Sequence, residues 1–97
     1  MSNYILLASW TDQGIRTVKD SPGRLDAAKA AIKALGGEIK SFFMTIGKYD
    51  FVVIYEAPDD AAAARFTLST AKGGNLRSQT LKAFSEAEYR EIIGSLS

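Results

Sequence analysis

Two apolar runs near the middle of the chain are separated by only four residues. Residues 39–46 and residues 51–57 are rich in aromatic and β-branched side chains, which is typical of strands. Between them stands Gly47-Lys48-Tyr49-Asp50, whose glycine suits a tight turn because glycine adopts positive φ without steric cost. So short a connection predicts an antiparallel hairpin. Any fold of this chain must therefore place these two strands side by side.

The chain before the hairpin predicts one strand, a polar connection and one helix. Residues 4–10 are apolar on both alternating faces, as in a buried strand, and residues 11–21 are polar and irregular. Ser21 is the expected N-cap of a helix with Pro22 at its first position, and Gly36-Gly37 is the expected end. Apolar residues recur at helical spacing on one face of this segment: Leu25, Ala28, Ile32 and Leu35.

The chain after the hairpin predicts a helix, a strand and a second helix. Pro58-Asp59-Asp60 places carboxylates at the positive end of the first of these helices, and Gly73-Gly74 ends it. The expected apolar stripe of this helix consists of Ala61, Ala64, Leu68 and Ala71. Residues 75–83 predict a fourth, more polar strand. Ser85 and Glu88 have the spacing of a capping box, which predicts a short C-terminal helix.

The resulting order is β-α-β-β-α-β followed by a short C-terminal helix. This order is typical of the ferredoxin-like fold, an α+β class in which an antiparallel sheet carries both helices on one face. Right-handed crossovers place the first and third strands at the centre of the sheet. The expected edge strands, the second and the fourth, carry polar and charged residues: Lys40, Arg77, Gln79 and Lys82. We expect all 97 residues to form one domain.

Both faces of the predicted sheet carry apolar side chains. The second strand is expected to alternate Phe42, Met44 and Ile46 against Ile39, Ser41 and Phe43. Because two helices cover only one face, an apolar patch of roughly several hundred Å² would stay exposed on the other, more than monomers usually leave in water. We therefore predict a homodimer that packs sheet face against sheet face.

The composition excludes several classes of chemistry. The chain has no cysteine and no histidine, so it lacks thiolate nucleophiles, the commonest general base and the commonest transition-metal ligand. We therefore expect no metal site and no cofactor. Twelve basic and 11 acidic residues leave a net charge of +1, which predicts binding neither to nucleic acid nor to a membrane. The N-terminal apolar run is too short for a signal or a membrane span, so we expect a cytoplasmic protein.

Several blocks of the sequence resemble the GYD-domain family. Gly47-Lys48-Tyr49-Asp50 matches the motif that gives the family its name, and residues 10–16 with residues 19–22 resemble its first signature. Residues 56–60 and residues 74–80 with Ala83-Phe84 match its later blocks. Leu76 and Ser78 depart mildly from it, standing where valine and threonine are expected. The resemblance covers roughly residues 3 to 89.

The resemblance implies a small bacterial or archaeal protein that forms a dimeric α+β barrel. The family has no agreed activity. Proteins related to it by fold alone include haem-degrading and cofactor-free monooxygenases, muconolactone isomerase-like enzymes and ligand-binding regulatory domains. The expected partner is a second copy of the chain, with association into a higher oligomer and a small-molecule ligand as further possibilities.

Tyr49 and Asp50 are the first candidate site residues. A phenol donor and a carboxylate base at the mouth of a sheet-lined cavity would suit ligand binding or proton transfer. The structural alternative is a hairpin in which Gly47 makes the turn, Asp50 accepts hydrogen bonds from backbone N–H groups and Tyr49 packs as a lid. Turn chemistry alone explains the glycine and the aspartate, so this alternative is favoured.

Trp10, Thr11 and Gln13 form a second group of candidates where the first strand meets the polar connection. A ligand could stack on Trp10 and form hydrogen bonds with Thr11 or Gln13. The alternative is that Trp10 fills the core or a dimer interface.

Glu56, Arg77 and Thr80 complete the candidate set. Glu56, near the end of a central strand, could act as a base, although pairing with Arg77 across the sheet is the favoured interpretation. Thr80 and, beside these candidates, Asn75 are plausible polar residues in the same cavity.

Three functions are compatible with these patterns. The leading one is a homodimeric protein that binds a small, partly apolar molecule or acts as a regulatory or assembly module. The second is a cofactor-independent monooxygenase- or isomerase-like enzyme in which Tyr49, Asp50 or Glu56 transfers a proton. The third is a structural oligomer without a ligand. Convergence of Trp10, Tyr49 and Asp50 on a cavity would favour the first two, whereas a cavity filled by Phe42, Phe51 and Tyr55 would favour the third.

Overall fold

The central hairpin is formed by two strands, β2 and β3, of a four-stranded sheet. A computed structural model describes residues 1–97. In chain order the elements are β1 (Ser2–Trp10), α1 (Asp12–Arg16), a 3₁₀ turn (Val18–Asp20), α2 (Ser21–Ala34), β2 (Glu38–Met44), β3 (Phe51–Ala57), α3 (Asp60–Ala71), β4 (Leu76–Ala83) and α4 (Glu86–Gly94). Gly47 has φ of 124°, as the turn chemistry predicts. No helix is both long and apolar enough to cross a bilayer.

The sheet has the strand order β2-β3-β1-β4, and every neighbouring pair is antiparallel. The prediction that the first and third strands lie at the centre is therefore confirmed, and so is the ferredoxin-like α+β fold. In the register, Leu6 of β1 lies opposite Val53 of β3 on one side and Thr80 of β4 on the other.

The predicted alternation in β2 is wrong at its first residues. The register with β3 shifts between Ile39 and Ser41, so that Lys40 is an extra residue in the pairing. Such an irregularity reverses the faces of the residues that precede it. Ile39 therefore lies on the same side of the sheet as Phe42 and Met44.

Both long helices cover one face of the sheet, as predicted. Every second residue of β1 and β3 is buried beneath them, and the buried core consists of Tyr4, Leu6, Ala8, Ile32, Phe51, Val53, Tyr55, Ala57, Ala62, Ala63 and Phe66. Tyr55 packs edge-on against Phe66 at 4.9 Å between ring centres and stacks on Tyr4 at 5.3 Å. Aromatic pairs at these separations stabilise the core beyond the area they bury.

The predicted apolar stripe of α3 is wrong, although the position of Phe66 off that stripe already indicated a wide apolar arc. The helix buries Ala62, Ala63 and Phe66, whereas Leu68 of the expected stripe is 69% exposed. Alanines occur all round the first turns of α3, so they carry little information about which side is buried. The bulky Phe66 side chain decides the orientation because it buries far more apolar area than an alanine does.

The segment predicted to be an irregular connection is ordered as α1 and the 3₁₀ turn. Thr11 begins α1, and its hydroxyl oxygen accepts a hydrogen bond from the backbone N–H of Gly14 at 3.1 Å. The following helix, α2, starts one residue earlier than expected, at Ser21, so Asp20 occupies the N-cap position without a side-chain hydrogen bond. The boundaries of β2 and β4 also differ, since β2 ends at Met44 and β4 begins at Leu76.

The C-terminal helix, α4, has the predicted capping box. The Ser85 hydroxyl accepts from the Glu88 backbone N–H at 3.1 Å, and the Glu88 carboxylate accepts from the Ser85 N–H at 2.9 Å. The hydrogen bond from the Ser85 backbone N–H, followed by one from the Ser85 side chain, lowers the pKa of the Glu88 carboxyl group. No residue of α4 is buried.

Three polar side chains connect the start of β1, the start of α3 and the end of β4. The Tyr4 hydroxyl donates to Asp60 Oδ1 at 2.6 Å, and Lys82 Nζ donates to the same oxygen at 3.2 Å. Burial, followed by this bond to Asp60, raises the pKa of Tyr4 to about 12. The Tyr4 hydroxyl, followed by Lys82, lowers the pKa of Asp60. The cluster therefore favours a neutral Tyr4 beside an ionised Asp60.

We expect Tyr4→Phe to lower the free energy of unfolding at intermediate pH. At acid pH and at strongly alkaline pH the substitution should have little effect. The stabilisation from a lowered carboxyl pKa is present above the ordinary pKa of aspartate and is lost as pH falls through the lowered value. The stabilisation from a raised phenol pKa is complete below the ordinary pKa of about 10 and is lost as pH rises through about 12. Urea denaturation of both proteins across a pH series measures this difference.

The matched control for this change is Tyr89→Phe, which removes the hydroxyl of a tyrosine that is 57% exposed. Its free energy of unfolding should follow that of the unmodified protein at every pH. A Tyr4→Phe deficit of constant size from acid to alkaline pH would contradict the proposed linkage.

Candidate functional site

A cavity of about 600 Å³ lies between α2, α3 and the helix-covered face of the sheet. Its walls are mostly apolar, and 13 of its 19 lining residues are hydrophobic. The residues that define its floor and walls are Trp10, Leu25, Ala28, Phe42, Phe51 and Leu76. A volume of this size lies within the range of small-molecule sites.

The cavity exists because α2 presents small side chains to a sheet that carries large ones. Ala28 and Ala31 face it from the helix, where leucine or isoleucine would fill the space. Phe42 and Phe51 pack together with 5.5 Å between ring centres and line the cavity without filling it. The space is partly open to solvent, so it is a groove between the helices and the sheet that a ligand could enter.

A few polar groups border this apolar space. Ser69 and Thr70 of α3, Asn75 before β4 and Ser21 of α2 contribute side chains to its lining. Arg24 also lines it, but its guanidinium already donates hydrogen bonds to the carbonyl oxygens of Thr17 and Gly14. The cavity thus offers hydroxyl and amide groups to a ligand, while its one cationic group is held by the backbone.

Trp10 is the candidate residue that lines the cavity. It lies 5.7 Å from Phe51 between ring centres, on the helix-covered face of the sheet. Its neighbour in the candidate set, Asp50, instead holds the backbone, since Asp50 Oδ2 accepts from the Trp10 N–H at 2.9 Å. The Asp50 N–H donates to the carbonyl oxygen of Ala8 at 2.8 Å. Asp50 therefore fixes the end of β1, as the structural alternative expected.

Thr11 and Gln13 tie α1 to the connection between α3 and β4. The Thr11 hydroxyl donates to the Gly74 carbonyl oxygen at 2.6 Å, and Gln13 Nε2 donates to the Gly73 carbonyl oxygen at 2.9 Å and to Asn75 Oδ1 at 3.0 Å. Gly14 lies so close to the Asn75 carbonyl oxygen that no Cβ would fit. These contacts position Asn75 at the border of the cavity.

The remaining candidates lie away from the cavity, three of them on or beside the opposite, open face of the sheet. The Tyr49 hydroxyl donates to Gln79 Oε1 at 3.1 Å. Glu56 lies 3.9 Å from Lys40 Nζ, whereas Arg77 is opposite Ser9 in the register. The predicted pairing of Glu56 with Arg77 is therefore wrong, because β1 separates the two strands that carry them.

Thr80 faces the helix-covered side near a buried hydroxyl group. Its oxygen lies 3.1 Å from that of Thr67. The adjacent Tyr55 hydroxyl is fully buried and has no hydrogen-bond partner. Burial raises the pKa of Tyr55. This cluster lies in the packed core, and none of its three residues lines the cavity.

The eight candidate residues therefore do not come together at one point. Asp50 precedes β3 and Glu56 lies near its other end, roughly 20 Å away at the rise of an extended strand. Two groups that far apart cannot act on the same reacting atom. No three carboxylates cluster closely enough to hold a metal ion. The role of each candidate in binding stays a prediction.

Most of the residues that form the cavity were not among the candidates. Leu25 and Met44 looked like ordinary apolar residues of a helix and a strand, Phe42 was expected only as a residue that could fill a cavity, and Ser69 and Thr70 looked like ordinary helix residues. The signal that could have identified the cavity is the series of alanines on the sheet-facing side of α2. Small residues opposite aromatic ones leave an unfilled volume. An apolar pattern in the sequence does not reveal it, because the pattern does not distinguish small side chains from large ones.

Comparisons with known proteins agree with this architecture. The family model of the GYD domain matches residues 4–93. A Thermus thermophilus protein named glutamine synthetase and cystathionine beta-lyase binding protein is 32% identical over 89 residues, which are 91% of this chain and 94% of that protein.

Solved structures share the fold at low sequence identity. A feast or famine regulatory protein from M. tuberculosis, complexed with L-methionine, has a TM-score of 0.67 at 14% identity over 88% of this chain, which spans about half (51%) of that one. A crystal structure of a Thermus thermophilus protein has a TM-score of 0.55 at 20% identity, with coverage of 88% of this chain and 95% of the other. These structures show the shared fold alone. The match of the family model over residues 4–93 shows that this chain belongs to the GYD-domain family.

Proposed function

We propose that this protein is a homodimeric regulatory module that binds a small, partly apolar molecule in the cavity beneath α2. The observation that carries this proposal is the cavity itself, which is about 600 Å³ in volume and has a mostly apolar lining with a few polar groups at its border. Sites for small molecules typically combine these two properties, because apolar walls supply affinity and a few polar groups fix orientation.

The regulatory part of the proposal takes support from the relatives. The Thermus protein of similar length is named for binding two enzymes, glutamine synthetase and cystathionine beta-lyase. The regulator of similar fold was solved with L-methionine. An apolar amino acid would suit a cavity with Trp10 in its wall and the hydroxyl groups of Ser69 and Thr70 at its border. We therefore infer that the ligand class is small apolar amino acids or molecules of similar size and polarity.

The homodimer takes support from the open face of the sheet. Ile5, Leu7, Val52 and Ile54 lie there half-buried. Phe43 and Leu81 of the edge strands are 58% and 40% exposed on the same face. An apolar surface of this kind is characteristic of an interface, and a second copy of the same face is the simplest complement.

An enzymatic function draws less support from this geometry. Asp50 is held by a backbone N–H, Glu56 lies beside Lys40, and the Tyr49 hydroxyl is bonded to Gln79. A general acid or base must reach a reacting atom within hydrogen-bond distance, and these three groups point to no shared space.

Ala28→Leu should weaken ligand binding by about tenfold or more, because its side chain would occupy cavity volume that the ligand needs. Trp10 is the single tryptophan of the chain and lines the cavity, so its fluorescence reports binding directly. Titration with L-methionine, followed by the other apolar amino acids, measures the affinity of both proteins. Native mass spectrometry of the protein purified from its host identifies a ligand outside this panel.

The matched control is Ala30→Leu, which adds the same side chain to an exposed position of the same helix. It should leave the affinity unchanged. Equal affinities for Ala28→Leu and the unmodified protein would show that the ligand binds elsewhere. The absence of any fluorescence change or bound mass would count against a small-molecule function.

Leu81→Glu should weaken dimerisation by about tenfold or more, since it places a charge on the open face that forms the proposed interface. Leu68→Glu is the matched control, because Leu68 is 69% exposed on α3, which packs on the opposite side of the sheet. Sedimentation velocity over a concentration series gives both dissociation constants. Equal effects of the two substitutions would exclude the open face as the interface.

A further inference from the structure

The C-terminal helix α4 begins beside Asn3 of β1, and none of its residues is buried. It follows β4 at Ala83, which pairs with Asn3 at one end of the sheet. The longest dimension of the molecule is 52 Å, whereas the nine residues of β1 span about 30 Å. A helix of nine residues adds about 14 Å, so a projection of α4 beyond the sheet accounts for much of the difference.

One side of α4 is apolar and largely exposed. Tyr89, Ile92 and Ile93 lie at helical spacing on that side, and Leu96 follows the last turn. With Phe84 before the helix, these side chains are between 45% and 68% exposed. The 2.9 Å ion pair between Glu86 and Arg90 borders this side, and Glu91 lies opposite it by helical spacing. This amphipathic pattern is that of a helix packed against a surface.

A helix this short requires such a surface. Isolated helices of fewer than about 12 residues are marginal in water, because nucleation costs more than a few hydrogen bonds return. The capping box of Ser85 and Glu88 helps the first turn but leaves the apolar side exposed. The helix contacts neither of the other long helices nor the open face of its own sheet closely enough to bury a residue.

The charges of the chain indicate what this surface is. The segment 84–97 has three acidic residues and one basic residue, which is a net charge of −2. The other 83 residues have 11 basic and eight acidic residues, which is a net charge of +3. The helix is thus complementary in charge to the body of another copy of the same chain. Complementary charge favours encounter and orientation, while the apolar stripe supplies the buried contact.

We propose that α4 docks on a second copy of this chain, with the two copies exchanging their C-terminal helices across the dimer. The proposal rests on the homodimer inferred above and adds the element that each protomer contributes to the other. Because α4 starts at the end of β4, an edge strand of the open sheet face, its contact would continue the interface between the faces. Two copies of α4 in one dimer would double the effect of any change in the apolar stripe.

The first test is the double substitution Ile92→Ala/Ile93→Ala, which removes apolar area without introducing charge or reducing helix propensity. Sedimentation velocity should give a dimer dissociation constant on the order of 100-fold higher, as expected when well-packed apolar anchors are truncated in both copies. The matched control, Arg90→Ala/Glu91→Ala, changes two residues of the same turn on the polar side and should stay within about threefold, because exposed ion pairs contribute little. Equal dissociation constants for the two variants would overturn the proposal.

The second test identifies the partner directly. A photo-crosslinking phenylalanine analogue replaces Tyr89 in the full chain, and protein with natural nitrogen is mixed with ¹⁵N-labelled protein before irradiation. Docking on a second copy predicts cross-links that join one ¹⁵N-labelled peptide to one unlabelled peptide. Cross-links between peptides of the same label alone would mean that α4 folds back on its own protomer, and a lack of cross-links would mean that it docks on neither. Either result overturns the proposal.

These outcomes are separable from the proposed function. A dimer that is weakened by Leu81→Glu but not by Ile92→Ala/Ile93→Ala would retain the sheet interface and exclude the helix exchange. A monomer at every concentration would exclude both the dimer and the exchange. The fluorescence titration at Trp10 remains an independent test of ligand binding in all of these cases.

Discussion

The fold depends on one constraint, which is that a four-stranded sheet has two faces and this chain has only two long helices to cover them. Both α2 and α3 pack on the same face, where they bury alternate residues of β1 and β3. The alternate residues that remain, including Leu7 and Ile54, are only half-buried. Apolar residues on both faces of a central strand are expected when both faces are covered in the assembled state. The short helix α4 covers neither face, and none of its residues is buried.

The cavity and the hydrogen bonds around it form one structural unit. Asp50 holds the end of β1 through the Trp10 N–H, so the indole enters the cavity wall at a defined place. On the other side, Thr11 and Gln13 hold the glycine-containing connection that precedes Asn75. Polar residues of this fold thus serve chiefly to position the apolar lining. Side chains that look catalytic in the sequence can have this supporting role. A backbone N–H that is buried or lies at the end of a strand needs a hydrogen-bond acceptor, and a carboxylate or amide side chain can supply it.

The sequence predicted the architecture well and the site poorly, for physical reasons that differ. Glycine and proline mark the ends of helices and turns locally, so Gly47 and the segment before Pro58 were interpreted correctly. Burial around α3 depends on packing, and four consecutive alanines gave no signal to compete with Phe66. Which residues of β2 lie on which face of the sheet depends on an irregularity at Lys40, and no residue type in this segment predicts it. The predicted Glu56–Arg77 ion pair is wrong because the strand order places β1 between β3 and β4, which carry these two residues.

The cavity and the open face lie on opposite sides of the same two central strands. Leu6 and Val53 line the cavity, and the adjacent Leu7 and Val52 face the other way. A ligand in the cavity can therefore influence what binds the open face through displacements of β1 and β3 alone, without contacting it. Such an influence exists only if the ligand binds more tightly to one of two arrangements of these strands, and its size equals that difference in binding free energy. Such coupling would require no additional structural element, because the same two strands separate the cavity from the open face.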